Sequence, residues 1–135
     1  MILYRYETYE GQHTFKDQVL KPKKVINDDF WPSLVFLTKN PKWNEIVRAN
    51  TLTGNEPIRA KSPKVFTKRG IPCWRFSVEL SEPLYKLMFP HPYWLVMLNE
   101  AKEKGCDLSE WHWSTKECPI IETHTWNGWW KPTDI

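Results

Sequence analysis

Tryptophan is the residue type that most constrains this chain. The 135 residues include nine tryptophans. Those from residue 111 onward are Trp111, Trp113, Trp126, Trp129 and Trp130. An indole ring buries a large apolar area and carries an N–H group that needs an acceptor. Such a concentration therefore indicates either a core built from few residues or a flat surface on which a ligand stacks.

Length and composition favour a single folded domain that spans residues 1–135. The chain is 41% hydrophobic and 26% charged, as is usual for globular proteins. It contains neither a GxGxxG sequence nor GxxxxGK followed by Ser or Thr. Rossmann and P-loop nucleotide sites are therefore not expected, because both depend on those glycine-rich turns.

The cysteines and the N-terminal segment bear on cellular location. Cys73, Cys106 and Cys118 are odd in number and form no CxxC pair. We expect reduced, mostly buried thiols and no metal site. The opening MILYRYETYEG lacks a basic stretch followed by a long apolar one, and no apolar run approaches membrane-spanning length. These features predict a cytoplasmic protein that does not bind a membrane.

Positive charge is modest overall but locally concentrated. The formal net charge is +3. Basic residues gather in KPKK (residues 21–24) and in residues 59–69, where no acid interrupts them. Two interpretations stay open: a solvated loop, or a surface that faces phosphate groups.

Hydrophobic periodicity predicts an α+β fold made of mixed short strands and two or three helices. The predicted strands are residues 1–6, 33–38, 64–67, 73–80, 110–114 and 120–126. The predicted helices are residues 13–20, residues 41–50 after the Asn40-Pro41 start signal, and residues 93–104 before a Gly105 cap.

Three segments resemble the ADP-ribosyltransferase family. They are LYRYE (residues 3–7), LVFLTKNPKWNEI (residues 34–46) and SEWHWSTKECPI (residues 109–120). They are similar to that family's first strand with an arginine near its end, its apolar strand ending in Ser or Thr with the following helix, and its late strand opened by glutamate. The resemblance implies an α+β scaffold of split sheets that holds NAD in the cleft between them.

The resemblance also implies roles for individual residues. Arg5 would grip the nicotinamide ribose or the diphosphate, Thr38 would brace the site, and Glu110 would be the catalytic glutamate. Cleavage of the nicotinamide bond builds positive charge on the ribose, which a carboxylate stabilises, and a guanidinium fork suits phosphate. The implied activity is transfer of ADP-ribose to a protein or nucleic-acid target. The implied NAD contacts are Arg5, Tyr6, Thr38, Trp43 and His112.

Each candidate also has a structural interpretation. Arg5 would extend its charged end to solvent from an edge strand. Thr38 would accept from free N–H groups at a helix start. Glu110 would be an exposed carboxylate at a strand start, and His112 a surface imidazole.

A second function belongs to another class: a small non-catalytic interaction protein, such as a viral or bacterial regulator. It would bind a host protein or nucleic acid through its Trp-rich end and basic middle. Trp129 and Trp130 are adjacent, so on a strand they point to opposite sides and at least one ring is exposed. Trp126 is predicted to lie in the core.

Overall fold

Short strands make up most of the regular structure. The computed structural model describes residues 1–23, 33, 35–43, 48–50, 57–59, 62–80 and 111–133. The helices are α1 (Gly11–Asp17) and α2 (Pro63–Thr67). The strands are β1 (Ile2–Glu7), β2 (Val19–Leu20), β3 (Val35–Thr38), β4 (Arg48–Asn50), β5 (Pro57–Arg59), β6 (Trp74–Glu79), β7 (Trp111–Ser114), β8 (Cys118–Pro119), β9 (Glu122–Trp126) and β10 (Trp130–Pro132). The described fold is α+β, as predicted.

An antiparallel six-stranded sheet organises the fold, with strand order β10-β9-β6-β1-β3-β7. Strand β1 pairs with β6 along its whole length, from Ile2 opposite Glu79 to Glu7 opposite Trp74. On its other side, β1 pairs with β3. Strand β1 is therefore an interior strand. Two smaller sheets pair β2 with β8 and β4 with β5.

Both faces of the six-stranded sheet are apolar. The first, which we call the helix face, carries a core of Leu3, Leu20, Val35, Leu37, Phe76, Val78 and Cys118, with Phe15 of α1 packed against it. The second, which we call the aromatic face, carries Tyr6, Trp43, Phe66, Ile71 and Cys73, with Tyr4, Trp126 and Trp130 packed against them. Burial on both faces explains why β3 has a continuous apolar sequence, as predicted.

Helix α1 ends earlier than the predicted residue 20. Gln18 adopts a left-handed conformation with φ of 56°, and its N–H donates to the carbonyl of Thr14 at 2.9 Å. This geometry closes the helix at Asp17. Val19 and Leu20 then form β2, so the predicted helix ended three residues too late.

Helix α2 replaces the strand predicted for residues 64–67, and that prediction is wrong. The Ser62 hydroxyl accepts from the Lys64 N–H at 3.1 Å, and Pro63 occupies the first helical position. Ser followed by Pro is a strong helix-start signal, because both satisfy the requirements of the first turn. These local signals outweighed the strand preference of Val65 and Phe66.

The helix predicted for residues 41–50 is wrong wherever the structure describes those residues. Pro41 and Lys42 form a bend, and Arg48–Asn50 is strand β4. The Asn40 side-chain oxygen accepts from the Lys42 N–H at 3.0 Å, which stabilises a turn instead of a helix. The Asn-Pro pair, interpreted as a helix start, instead begins a turn.

The remaining element predictions have mixed outcomes. The strands predicted at residues 1–6, 73–80, 110–114 and 120–126 are confirmed as β1, β6, β7 and β9 with slightly different ends. The short strand β10 was not predicted. The helix predicted at residues 93–104 and its Gly105 cap lie outside the described residues. Among the helices that are described, none is long and apolar enough to cross a membrane.

Candidate functional site

Arg5 lies on the helix face, in the interior of the sheet. Its Nε is 3.6 Å from Oε1 of Glu7. The other oxygen of Glu7 accepts from the Thr14 hydroxyl at 2.6 Å. Glu7 is only 8% exposed, so this nearly buried carboxylate is held by one cation and one hydroxyl. The edge-strand interpretation of Arg5 is therefore wrong, because β6 and β3 flank β1 on either side.

Thr38 lies on the aromatic face, opposite Tyr4 of β1. Its side chain is 1% exposed, and its hydroxyl accepts from the Asn40 N–H at 3.2 Å. The hydroxyl does satisfy a free backbone donor, but in a turn and not at a helix start. Because successive residues of a strand point to opposite faces, Thr38 and Arg5 are separated by the sheet. The structure does not bring these two predicted residues together.

The other predicted residues divide between the two faces. His112 lies opposite Leu37, on the helix face with Arg5, and is only 7% exposed. It is thus a buried imidazole, contrary to the surface interpretation. Tyr6 and Trp43 lie on the aromatic face with Thr38, their ring centroids 5.3 Å apart. Glu110 lies outside the described residues.

Aromatic rings fill the aromatic face near the last two strands. Trp130 stacks on Trp43 at 6.3 Å between centroids and lies 5.4 Å from Tyr6 and 5.3 Å from Trp126. Trp43 in turn contacts the fully buried Phe66 of α2. Rings this close are in direct contact and leave no space for a ligand ring between them. The cluster is a structural core, and only its outer margin is available to a ligand.

We call residues Asn40, Pro41 and Lys42 the 40–42 turn. Each of its backbone carbonyls accepts a hydrogen bond from a side chain of a different strand. The Tyr6 hydroxyl donates to the Asn40 carbonyl at 2.5 Å. Nη1 of Arg75 donates to the Pro41 carbonyl, and Nε1 of Trp130 donates to the Lys42 carbonyl at 2.7 Å. These hydrogen bonds hold the turn against the aromatic face. They also occupy carbonyls that would accept from backbone N–H groups if the segment were helical.

Arg75 lies at the margin of the aromatic cluster. Its guanidinium carbon is 5.2 Å from the Tyr4 ring centroid and 5.3 Å from that of Trp130, both cation–π distances. His124 lies directly opposite on β9. Burial, and secondarily the charge of Arg75, lower the pKa of His124 below its usual range, while Glu122 acts in the other direction. The neutral imidazole is favoured there.

The β9–β10 hairpin presents one tryptophan to solvent. Trp126 pairs with Trp130, and Gly128 in the connecting loop has a φ of 81° that favours glycine. Trp129 is 59% exposed, whereas the Trp130 ring packs into the cluster. This confirms that one of the two adjacent rings is exposed. Trp126 is half-buried and packs against the cluster from outside, so its predicted core position is correct only in part.

Exposed cations lie on this hairpin and on, or next to, the elements that contact it. Lys39 directly precedes the 40–42 turn, Lys42 is its last residue, and Lys131 follows Trp130. Helix α2, which inserts Phe66 into the cluster, is accompanied by exposed Lys64, Lys68 and Arg69. The last three belong to the predicted basic run of residues 59–69, and they are solvent-exposed as both of its interpretations require.

Sequence reasoning missed Tyr4, Arg75 and the 40–42 turn. Arg75 falls within the strand predicted at residues 73–80, but the sequence analysis assigns it no role in a site. The sequence signal that could have identified Arg75 is its place in a strand of a tryptophan-rich chain, because an arginine beside aromatic rings favours cation–π contact. The sequence contains no comparable signal for the turn, because the side chains that donate to its carbonyls come from the distant residues 6, 75 and 130.

Comparisons with known proteins found no match: no family model, no curated protein and no solved structure is significantly similar to this chain. Within the described residues, no three His, Cys, Asp or Glu side chains are grouped as metal ligands. A functional proposal must therefore rest on the geometry of the site itself.

Proposed function

We propose that this protein is a non-catalytic binding protein for single-stranded nucleic acid. The observation that carries the proposal is the exposure of Trp129, whose indole is 59% exposed on the β9–β10 hairpin. The next residue, Trp130, packs into the aromatic cluster and holds this part of the hairpin in place. An exposed ring on a rigid support loses little conformational freedom on binding, so it is well suited to stack on a ligand. Trp129 would stack on one base of the strand.

Charge favours nucleic acid over a protein partner. Of the exposed cations, Lys39 directly precedes the 40–42 turn, Lys42 is part of it, and Lys131 lies on β10 of the hairpin itself. Backbone phosphates bind such cations with release of counterions, and bases bind exposed aromatic rings. On the described part of the aromatic face, the exposed acids are Glu79 and Glu122, at the ends of β6 and β9 that are remote from the hairpin. A single strand offers both groups that this surface fits.

The NAD-dependent transferase implied by the family resemblance has less support. Arg5 and Thr38 lie on opposite faces of the sheet, so they are not placed to hold one NAD molecule. Titration with NAD therefore belongs in the same experiment, as the competing ligand.

The test is fluorescence anisotropy of labelled oligo(dT), in competition with unlabelled duplex DNA and with NAD. Base stacking on an aromatic ring contributes about 1–3 kcal/mol, so Trp129→Ala should weaken oligo(dT) binding by about 5- to 150-fold. Trp129→Phe should retain most of the affinity, because a ring remains. Ile121→Ala is the matched control. Ile121 is 52% exposed and directly precedes β9, at the end of that strand remote from the hairpin. The affinity of this variant for oligo(dT) should therefore equal that of the wild type.

Salt dependence supplies a second measurement. The logarithm of the binding constant should fall linearly with the logarithm of salt concentration, and Lys42→Gln should reduce the slope by about 0.7. Failure of the wild-type protein to bind oligo(dT) would refute the proposal. Binding of NAD, or of a protein partner through Trp129, would replace it with the corresponding alternative.

A further inference from the structure

We infer that Arg75 is a positioning residue for the Trp129 stacking surface: its guanidinium, between the rings of Tyr4 and Trp130, joins the 40–42 turn to the β9–β10 hairpin. The inference rests on the proposed function, because it assigns Arg75 a task in presenting Trp129 to the strand. It is a separate claim, since Trp129 could bind bases whether or not Arg75 sets its orientation.

The strand order places one ring on each side of Arg75. Tyr4 belongs to β1, which borders β6 directly, and Trp130 belongs to β10, which lies beyond β9 on the other side. The guanidinium carbon is nearly equidistant from the two ring centroids, at 5.2 and 5.3 Å. Arg75 therefore connects β1 to β10 across β9, strands that do not pair with each other.

A hydrogen bond adds the turn to this connection. Nη1 of Arg75 donates to the Pro41 carbonyl, next to the Lys42 carbonyl that accepts from the Trp130 indole. The same turn is thus bound both by Arg75 and by the ring that Arg75 contacts. Three groups brace one another: the guanidinium, the Trp130 indole and the backbone of the turn. Displacing Arg75 would loosen Trp130, and Trp129 is its direct neighbour in the chain.

Arginine suits this task better than lysine. A guanidinium is planar, contacts aromatic rings and donates in a fixed direction at the same time, whereas an ammonium is a compact point charge. Because its plane lies near two rings and one donor is already used, Arg75 is not placed as the main phosphate contact. Exposed lysines such as Lys42 are better placed for that purpose.

The experiment measures oligo(dT) affinity and its salt slope for Arg75→Gln and Arg75→Lys. Both variants should weaken binding by about 3- to 30-fold, the range expected when a cation–π contact is lost. The salt slope of Arg75→Gln should equal that of the wild type, because no phosphate contact is removed. Lys42→Gln is the control whose slope should fall by about 0.7. A slope that falls equally for Arg75→Gln would make Arg75 a phosphate contact and overturn the inference.

A double-mutant cycle tests the coupling to Trp129. If Arg75 acts through Trp129, adding Arg75→Lys to Trp129→Ala should cause no further loss of affinity. Additive losses would contradict the inference. Tyr4→Leu removes one of the two rings that Arg75 contacts and keeps the charge of Arg75. It should cause the same loss of oligo(dT) affinity, and it tests the inference even if an Arg75 variant folds poorly. Wild-type protein that fails to bind would refute the proposed function, whereas wild-type binding that all three variants retain would refute only the role of Arg75.

Discussion

His124 lies directly opposite Arg75 on the neighbouring strand of the sheet. On its other side it faces Pro132, an uncharged residue of β10. Nδ1 of His124 is buried and has no hydrogen-bond partner among the residues that the structure describes. Burial and the charge of Arg75 both disfavour protonation, and Glu122 opposes them only in part, so the pKa of His124 is lowered in the folded state.

This lowered pKa predicts a loss of stability on mild acidification. Below about pH 6.5, the usual imidazole pKa, the unfolded chain takes up a proton at His124 more readily than the folded protein does. The free energy of unfolding should therefore decrease as the pH falls through that value. Urea unfolding at about pH 7.5 and about pH 5 measures the change. His124→Gln should show a smaller decrease, and identical decreases in the two proteins would contradict the prediction.

The start of α1 has no room for a side chain at Gly11, because the Trp74 ring lies against it. A Cβ atom built at Gly11 would clash with Cδ1 of Trp74. Trp74 stacks on Phe76 and contacts Phe15, so the indole is held in place. We expect Gly11→Ala to destabilise the protein by about 1–3 kcal/mol, in spite of the better helix propensity of alanine.

The control for Gly11→Ala is Gln12→Ala, at an exposed position of the same helix. Its effect on the urea midpoint should be within about 0.5 kcal/mol. Equal midpoints for the two variants would mean that Trp74 moves aside without cost.

The sequence predicted the long strands well because their signals are local. Cys-Trp-Arg-Phe-Ser-Val-Glu-Leu has clear alternation, and it became β6, which pairs with β1 over all six residues of both strands. The 40–42 turn was assigned to a helix because its geometry depends on distant residues. Tyr6, Arg75 and Trp130 hold its carbonyls from 34, 34 and 88 residues away. No local pattern contains such information.

The candidate site was predictable only in its aromatic part. Strand alternation predicted that one of the adjacent Trp129 and Trp130 rings is exposed. One ring is exposed, but Trp129 lies in the loop that precedes β10 and not on the strand itself. The proposed convergence of Arg5 and Thr38 depended on which face each residue occupies. That is fixed by the register of Tyr4 opposite Thr38, a single tertiary pairing that periodicity does not reveal.

The buried thiols predict slow chemical modification of the folded protein. Burial raises the pKa of Cys73 to about 12, and it also raises that of Cys118, partly offset by a hydrogen bond with Ser114. Thiolate is the reactive form, so little is present near neutral pH. In a Cys106→Ser background, iodoacetamide should leave both thiols unmodified in buffer and alkylate both in urea. Rapid alkylation without urea would show that these side chains are accessible.

The hairpin tryptophans should differ sharply in their contribution to stability. Trp130 contacts three other rings and donates to the Lys42 carbonyl, so Trp130→Ala should cost about 3–5 kcal/mol. Trp129→Ala should cost less than about 0.5 kcal/mol, because the ring is largely in solvent. Trp126→Ala should lie between them, since its ring is half-buried against Trp130. Urea unfolding followed by far-UV circular dichroism measures all three, and similar losses for the three variants would show that Trp129 belongs to the core and is not free to stack on a base.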